Sequence, residues 1–244
     1  MYKLFLLITL FLPSVVLSMS ADELVKEADK YRQSSDNLKV SSVIKLYKNN
    51  ELDRERAYDV YLRSGRQSLV LSKSPSEKGQ KVLMLKDSFW LLMPKSKRPI
   101  RITPMQKLLG EASTGDVATM SWHEDYDAKF ITKYESSENG NNILELTAKT
   151  KGVTYKRIVL SLAPKTNFPV EAELYLPSGK LAKIAHFVLE KENGELRVVK
   201  MIIKDRINKT QHTEIEYLQS TPYTLNNKFY NPSYLARNPA LNIR

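Results

Sequence analysis

From residue 38 onward the chain is written mostly in a period of two. Between residues 38 and 48 the even positions Leu38, Val40, Ile44 and Leu46 are apolar, with Lys39, Ser41, Lys45 and Tyr47 between them. Alternation of this kind puts one set of side chains on each face of an extended chain, so the segment is a half-buried strand. Residues 54–63 and 66–73 repeat it, carrying Tyr58, Val60 and Leu62, then Leu69 and Leu71. Residues 79–94 are more continuously apolar: runs at 82–85 and 89–93, containing Met84, Trp90 and Leu92, flank a Lys86-Asp87-Ser88 turn. A strand pair hydrophobic on both faces must be covered on both. The expected cover is a helix over residues 104–111, capped by Thr103, with Pro104 in its first position, Met105, Leu108 and Leu109 inward, and Gly110 at its end.

Beyond that insertion the alternation resumes in strands expected at 129–135, 143–149, 153–162, 168–176, 180–190, 195–206 and 210–218. Asn139-Gly140, Pro177-Ser178-Gly179 and Asn193-Gly194 mark turns between them. Before the first strand, residues 21–34 place Leu24, Ala28 and Tyr31 at helical spacing among acids and lysines, an amphipathic helix. Roughly eleven to thirteen strands in a meander with one central insertion predict a mainly β, α+β chain. Its core is one large, strongly curved antiparallel sheet or open barrel. The tail from Thr221, rich in Asn and Pro, is expected to pack along the outside.

Residues 1–20 read differently. Lys3 precedes an apolar run from Leu4 to Leu17, and Ser18-Met19-Ser20 offers small residues where a signal peptidase reads, so cleavage before Ala21 is expected. The rival reading is an uncleaved anchor, disfavoured because the run is interrupted by Pro13 and falls short of the ~20 residues that span a bilayer. The remaining residues, 21–244, make one domain of an exported, periplasmic protein. Its net charge of +11 over the whole chain suits contact with anionic surfaces such as phospholipid headgroups. Nucleic acid is the rival polyanion, and export together with scattered charge argues against it. The densest basic stretch, Lys95, Lys97, Arg98 and Arg101, reads as a solvated edge or a site.

Chemistry is sparse. With no cysteine there is no disulfide, thiolate metal site or cysteine nucleophile. Only 8 glycines occur, and none forms a nucleotide-binding motif; Gly110 and Gly115 have phosphate-loop spacing but are followed by Asp116-Val117 rather than Lys-Ser/Thr. The three histidines, His123, His186 and His212, form no hydrolase or zinc motif. His123-Glu124-Asp125-Tyr126-Asp127 is the one cluster that could bind a metal or run acid–base chemistry; paired acids beside a histidine are also common on loops. No cofactor or metal is expected.

The apolar face of a curved sheet can be packed solid or left hollow for a ligand, and periodicity does not separate the two. The block from Gly79-Gln80-Lys81-Val82-Leu83-Met84 through Trp90, Pro94, Arg98, Ile100-Arg101-Ile102, Leu108, Gly110, Ala112-Ser113 and Gly115-Asp116-Val117 to Asp125-Tyr126 resembles the outer-membrane lipoprotein-sorting protein family, the relatives of LolA. Phe168-Pro169-Val170-Glu171-Ala172, Ser178-Gly179-Lys180, Phe229 and Tyr234-Leu235 resemble its later strands and ending.

The resemblance implies a half-open antiparallel barrel closed by helices, as in LolA and LolB. Its interior would shelter acyl chains of a lipid or lipoprotein crossing the periplasm to the outer membrane. It further implies an inner-membrane exporter as donor, an outer-membrane acceptor and transient contact with the membrane surface. Candidate cavity residues are Val40, Ile44, Tyr58, Val60, Leu62, Leu69, Leu71, Met84, Trp90, Leu92 and Leu108. Arg98, Arg101 and Asp116 match the family block as anchors of a lid loop or polar headgroup, or as a salt bridge closing the loop. The chain is longer than the dedicated lipoprotein chaperone and closer to the broader sorting-like branch, which leaves the cargo open. An alternative is a lipid-responsive signalling or envelope-assembly protein that uses the same fold to bind a partner; an envelope enzyme built on His123, Glu124 and Asp125 is a third reading.

Overall fold

The computed structural model describes residues 19–33, 35–119, 121–133, 140–192, 194–204, 210–238 and 243. Most of the expected signal segment over 1–20 therefore lies outside the described residues, as do Asn139 and Asn193 of two expected turns. Helix α1 (Ala21–Lys30) begins on Ser20, whose hydroxyl accepts from the Glu23 amide while the Glu23 carboxylate accepts from the Ser20 amide. Its Leu24, Val25 and Ala28 are buried.

The strands follow in order: β1 (Asn37–Lys48), β2 (Glu51–Arg63), β3 (Gln67–Ser72), β4 (Lys81–Leu85), β5 (Ser88–Leu92) and β6 (Ile100–Ile102). Next come β7 (Lys107–Leu109), β8 (Ala112–Ser113), the short helix α2 (Thr114–Ala118), then β9 (Tyr126–Thr132), β10 (Asn142–Ala148) and β11 (Arg157–Leu162). The chain finishes with β12 (Pro169–Tyr175), β13 (Leu181–Glu192), β14 (Glu195–Lys204), β15 (Gln211–Pro222) and the C-terminal helix α3 (Pro232–Arg237).

Thirteen strands form one antiparallel sheet in the order β6-β5-β4-β3-β2-β1-β15-β14-β13-β12-β11-β10-β9. Tight turns build most of it; Asn49 and Asn50 join β1 to β2 with φ of 51° and 65°, the pair of positive angles that suits the twist of a two-residue hairpin. Register shifts at Ser41/Ser42, Leu46/Tyr47, Leu174/Tyr175 and Val188/Leu189 add local twist, which bends so many strands into a bowl. The sheet does not close. The start and end of the chain meet at its centre, where β1 pairs β15, and the two edges β6 and β9 flank the central insertion. Residues 103–125 thus run from one edge of the open sheet to the other.

That insertion is not the expected helix. Residues 103–106 make a turn closed by the Gln106 amide on the Thr103 carbonyl at 3.1 Å, and β7 and β8 form a small hairpin. Thr103-Pro104 serves here as a turn signal, since proline also presets the second residue of a β-turn. Gly110, at φ 53°, sits where a Cβ would run into Thr213 and Leu46. The helix starts ten residues later, where Ser113 and Asp116 cap each other's backbone and side chain.

Two apolar clusters occupy the two faces of the sheet. The larger fills the bowl, with Leu38, Val40, Ile44, Leu46, Val60, Leu144, Leu146, Leu160 and Ile203 under α1 and α2. The smaller lies on the outer face of β2–β5, where Tyr61, Leu69, Leu83 and Leu92 are covered by Leu225, Phe229, Tyr230 and Leu235 of the tail. The double coverage expected for residues 79–94 is real, and its outer half is the C-terminal tail. Among the described residues no helix is long and apolar enough to cross a membrane.

Candidate functional site

The period of two divides the candidate cavity residues. Val40, Ile44, Tyr58, Val60, Leu62 and Met84 face the bowl, and Leu108 packs against the same cluster. Leu69, Leu71, Trp90 and Leu92 point to the opposite face, beneath the tail, so they line no common cavity with the first group. Their neighbours Val70 and Phe89 take the inward positions instead. Arg98 is exposed, and Arg101 on edge strand β6 lies over the Trp90 ring, 4.7 Å from its centroid. Neither joins Asp116 in one anchor.

Asp116 instead holds the lid down from within. Its Oδ2 stands 2.7 Å from Lys183 Nζ on β13, Tyr155 donates its hydroxyl proton to Oδ1 at 2.7 Å, and the Ser113 amide and hydroxyl also donate to it. Burial pushes this carboxyl up, and Lys183, Tyr155 and Ser113 outweigh it, so its pKa lies below the ordinary carboxylate value. Gly115 is required beside it because a Cβ there would collide with the Thr154 side chain.

A second fastening joins α1 to the lid. Asp29 accepts from the Trp122 amide at 2.9 Å, the His123 amide at 2.8 Å and the Ser121 hydroxyl at 3.0 Å, while Asp22 accepts from the Ala128 amide at 2.8 Å on edge strand β9. A third crosses the rim. Arg66, in the β2–β3 turn, meets Asp87 of the β4–β5 turn at 2.5 Å and Asp125 of the lid at 2.5 Å; the Asp125 contact is ionic, with Nε and Oδ1 off hydrogen-bond alignment. Burial pushes Asp125 up to about 6 against the pull of Arg66.

The His123–Asp127 cluster is therefore dispersed. His123 faces Asp29 at 3.6 Å, Asp125 faces Arg66, the Tyr126 hydroxyl donates to the Tyr155 carbonyl at 3.0 Å, and Asp127 points outward toward Lys149. Among the described residues no group of three His, Asp or Glu side chains is placed to hold a metal.

Among the described residues, a cavity of about 40 Å³ lies between the lid and β11–β14, lined by Arg32, Trp122, Ile158, Leu174, Phe187 and Met201 among others. About two or three waters would fill it, against the several hundred Å³ of a site for a lipid-sized ligand. This half of the bowl was absent from the sequence-derived site, although the alternations Ile158/Leu160, Ala172/Leu174 and Ala185/Phe187 signal it. Arg32, just past the end of α1, was absent from it as well.

A family model described as "Uncharacterized protein" matches residues 64–237. No curated protein matches the chain in sequence. Among solved structures, a LolA superfamily protein from Nitrosomonas europaea superposes with a TM-score of 0.80 at 26% identity, covering 89% of this chain and all of the other. An outer membrane lipoprotein-sorting protein domain from Vibrio parahaemolyticus gives a TM-score of 0.68 at 20% identity over 89% of this chain and 98% of that one. A DUF1329 family protein from Desulfovibrio piger gives 0.70 at 20% identity over 88% and 97%. The chain belongs to the family whose model matches residues 64–237, and it shares the fold of a LolA superfamily protein over nearly its whole length.

Proposed function

We propose that the protein is a noncatalytic periplasmic carrier that takes the acyl chains of a lipid or lipoprotein into the bowl for delivery to the outer membrane. The observation that carries this reading is a thirteen-stranded sheet left open and bridged, among the described residues, by α1 and the segment between β6 and β9, over an interior lined by aliphatic side chains. A sheet that needed only a core would gain by closing; this one leaves its apolar face dependent on a lid held by a few polar fastenings. The cargo has a physical need for such shelter, because each methylene kept from water is worth about 0.8 kcal/mol and a diacyl lipid will not cross an aqueous gap unaided.

A cavity of about 40 Å³ between the lid and β11–β14 is too small for an acyl chain. Loading then requires the lid and α1 to move off the strands, a hinge-like displacement of packed elements. An inner-membrane exporter would supply the cargo and an outer-membrane acceptor would remove it, with the basic surface touching phospholipid transiently. Native mass spectrometry of protein extracted from its own periplasm tests the reading: adducts of lipid mass are expected on a fraction of molecules, and delipidated protein should take up a fluorescent fatty acid or lipopeptide. Protein that carries no adduct and takes up neither probe would refute it.

A further inference from the structure

Among the described residues the bowl encloses a buried cation that faces no carboxylate. Arg32 follows the end of α1, is only 9% exposed, and its Nε is buried without a hydrogen-bond partner. Its polar contacts are weak ones: Nη2 to the Thr119 carbonyl at 3.5 Å, and the neighbouring Tyr217 hydroxyl. The guanidinium otherwise lies on aromatic faces, 4.0 Å from the Trp122 centroid and 6.0 Å from Phe187. The carboxylates of this region are already engaged: Asp29 by three donors from the lid, Asp116 by Lys183, Tyr155 and Ser113, and Asp125 by Arg66. Among the described residues none pairs with Arg32.

Two further polar atoms near it are unsatisfied. Ser42 on β1 and Tyr217 on β15 are register partners, so their side chains share the inner face; both hydroxyls are buried with no hydrogen bond of good geometry. Burial raises the Tyr217 hydroxyl's pKa and Asp116 adds to the rise, while the charge and side-chain contact of Arg32 act in the opposite direction, which places guanidinium and phenol side by side. Arg32 also lines the cavity of about 40 Å³. A guanidinium only donates and a hydroxyl both donates and accepts, so Tyr217 can meet part of Arg32's need but brings no opposite charge, and a buried cation is costly unless an anion completes it. What they lack in common is an oxyanion.

We propose that Arg32 receives the anionic group, carboxylate or phosphate, of an amphiphile whose tail occupies the bowl, so that the cargo is an acidic lipid rather than a neutral one. This rests on the carrier reading and sharpens it. Tail and headgroup are then recognised by different parts of the same interior, the strands by apolar contact and Arg32 by a charge-assisted hydrogen bond while it keeps its seat on Trp122.

The test measures binding to the whole protein at pH 8 with matched pairs: cis-parinaric acid against its methyl ester for the carboxylate, and phosphatidic acid against diacylglycerol for the phosphate, with inorganic phosphate alone as the tail-free probe. Wild type should bind the acidic member of at least one pair roughly tenfold more tightly. Arg32→Met should bring the two members within about twofold by weakening the acid alone, and Arg32→Lys should keep part of the preference. Arg32→Gln serves the same comparison if Arg32→Met does not fold. Equal binding of acidic and neutral members by wild type, or a preference that survives loss of the charge, overturns the proposal and leaves the carrier reading standing. Inorganic phosphate binding as tightly as the lipids also overturns it, because the tail would then play no part. Failure of every lipid to bind overturns both.

Discussion

Lys183 Nζ lies 2.7 Å from Asp116 Oδ2, with each side chain 3% exposed, so the lid helix is joined to the floor of the bowl by an ion pair sealed from water. The pair stands at the first turn of a five-residue helix that could not persist alone. Breaking a buried pair costs more than the pair is worth, because the survivor keeps its desolvation penalty. Lys183→Met is expected to destabilise the protein by about 3–5 kcal/mol in urea unfolding. Hydrogen exchange should show the loss concentrated in residues 113–119. A change under 1 kcal/mol, or one spread evenly over the sheet, would contradict the latch.

The lid also depends on close backbone approach. Gly115→Ala is expected to destabilise by about 1–3 kcal/mol through collision with Thr154, as overpacking does elsewhere. Thr154→Ala in the same chain should recover most of that loss. Additive effects in the double variant would show that the two residues do not meet as described.

Two groups at the α1–lid junction respond to pH in the same direction. The Asp29 carboxylate, 3.6 Å away, holds His123 above its ordinary 6.5, opposed by burial, with Glu124 adding to the rise and Lys26 opposing it. That stabilisation is complete below the unfolded value and is lost as pH climbs through the folded one. Burial raises Asp125 from 3.8 to about 6, with Glu124, Asp29 and Asp87 adding to the rise and Arg66 opposing it. A raised carboxyl favours the folded state when protonated, so its contribution falls as pH rises from about 4 to about 6. Asp116, held low, stays ionised throughout this range. Protection of the Trp122 and His123 amides, corrected for intrinsic exchange, should therefore be lower at pH 8 than at pH 5.5. Equal or higher protection at pH 8 would contradict the assignment.

The strands were legible because a half-buried sheet writes itself as alternation: Leu38, Val40, Ile44 and Leu46 are all inward, and the tail from Thr221 does lie outside. Where both faces are apolar, alternation stops carrying information. That is why Leu69, Leu71, Trp90 and Leu92 could be assigned to the interior although their parity puts them under the tail. The lid was misread for a related reason. Thr103-Pro104 opens helices and turns alike, and only the tertiary contacts of Gly110 with Leu46 and Thr213 decide between them. Arg32 carried no local signal at all, since its significance is a missing partner, which only the folded arrangement exposes.

The central claim is that the closed bowl opens at α1 and the lid to admit hydrocarbon. Asp22 Oδ1 already accepts from the Ala128 amide at 2.8 Å, and the chain has no cysteine of its own, so Asp22→Cys with Ala128→Cys introduces a single possible crosslink between α1 and edge strand β9. Uptake of cis-parinaric acid by this variant is the decisive measurement. The account predicts binding when the pair is reduced, little or none when it is oxidised, and recovery on adding a reductant. Equal uptake in both states would mean that hydrocarbon reaches the protein without α1 moving.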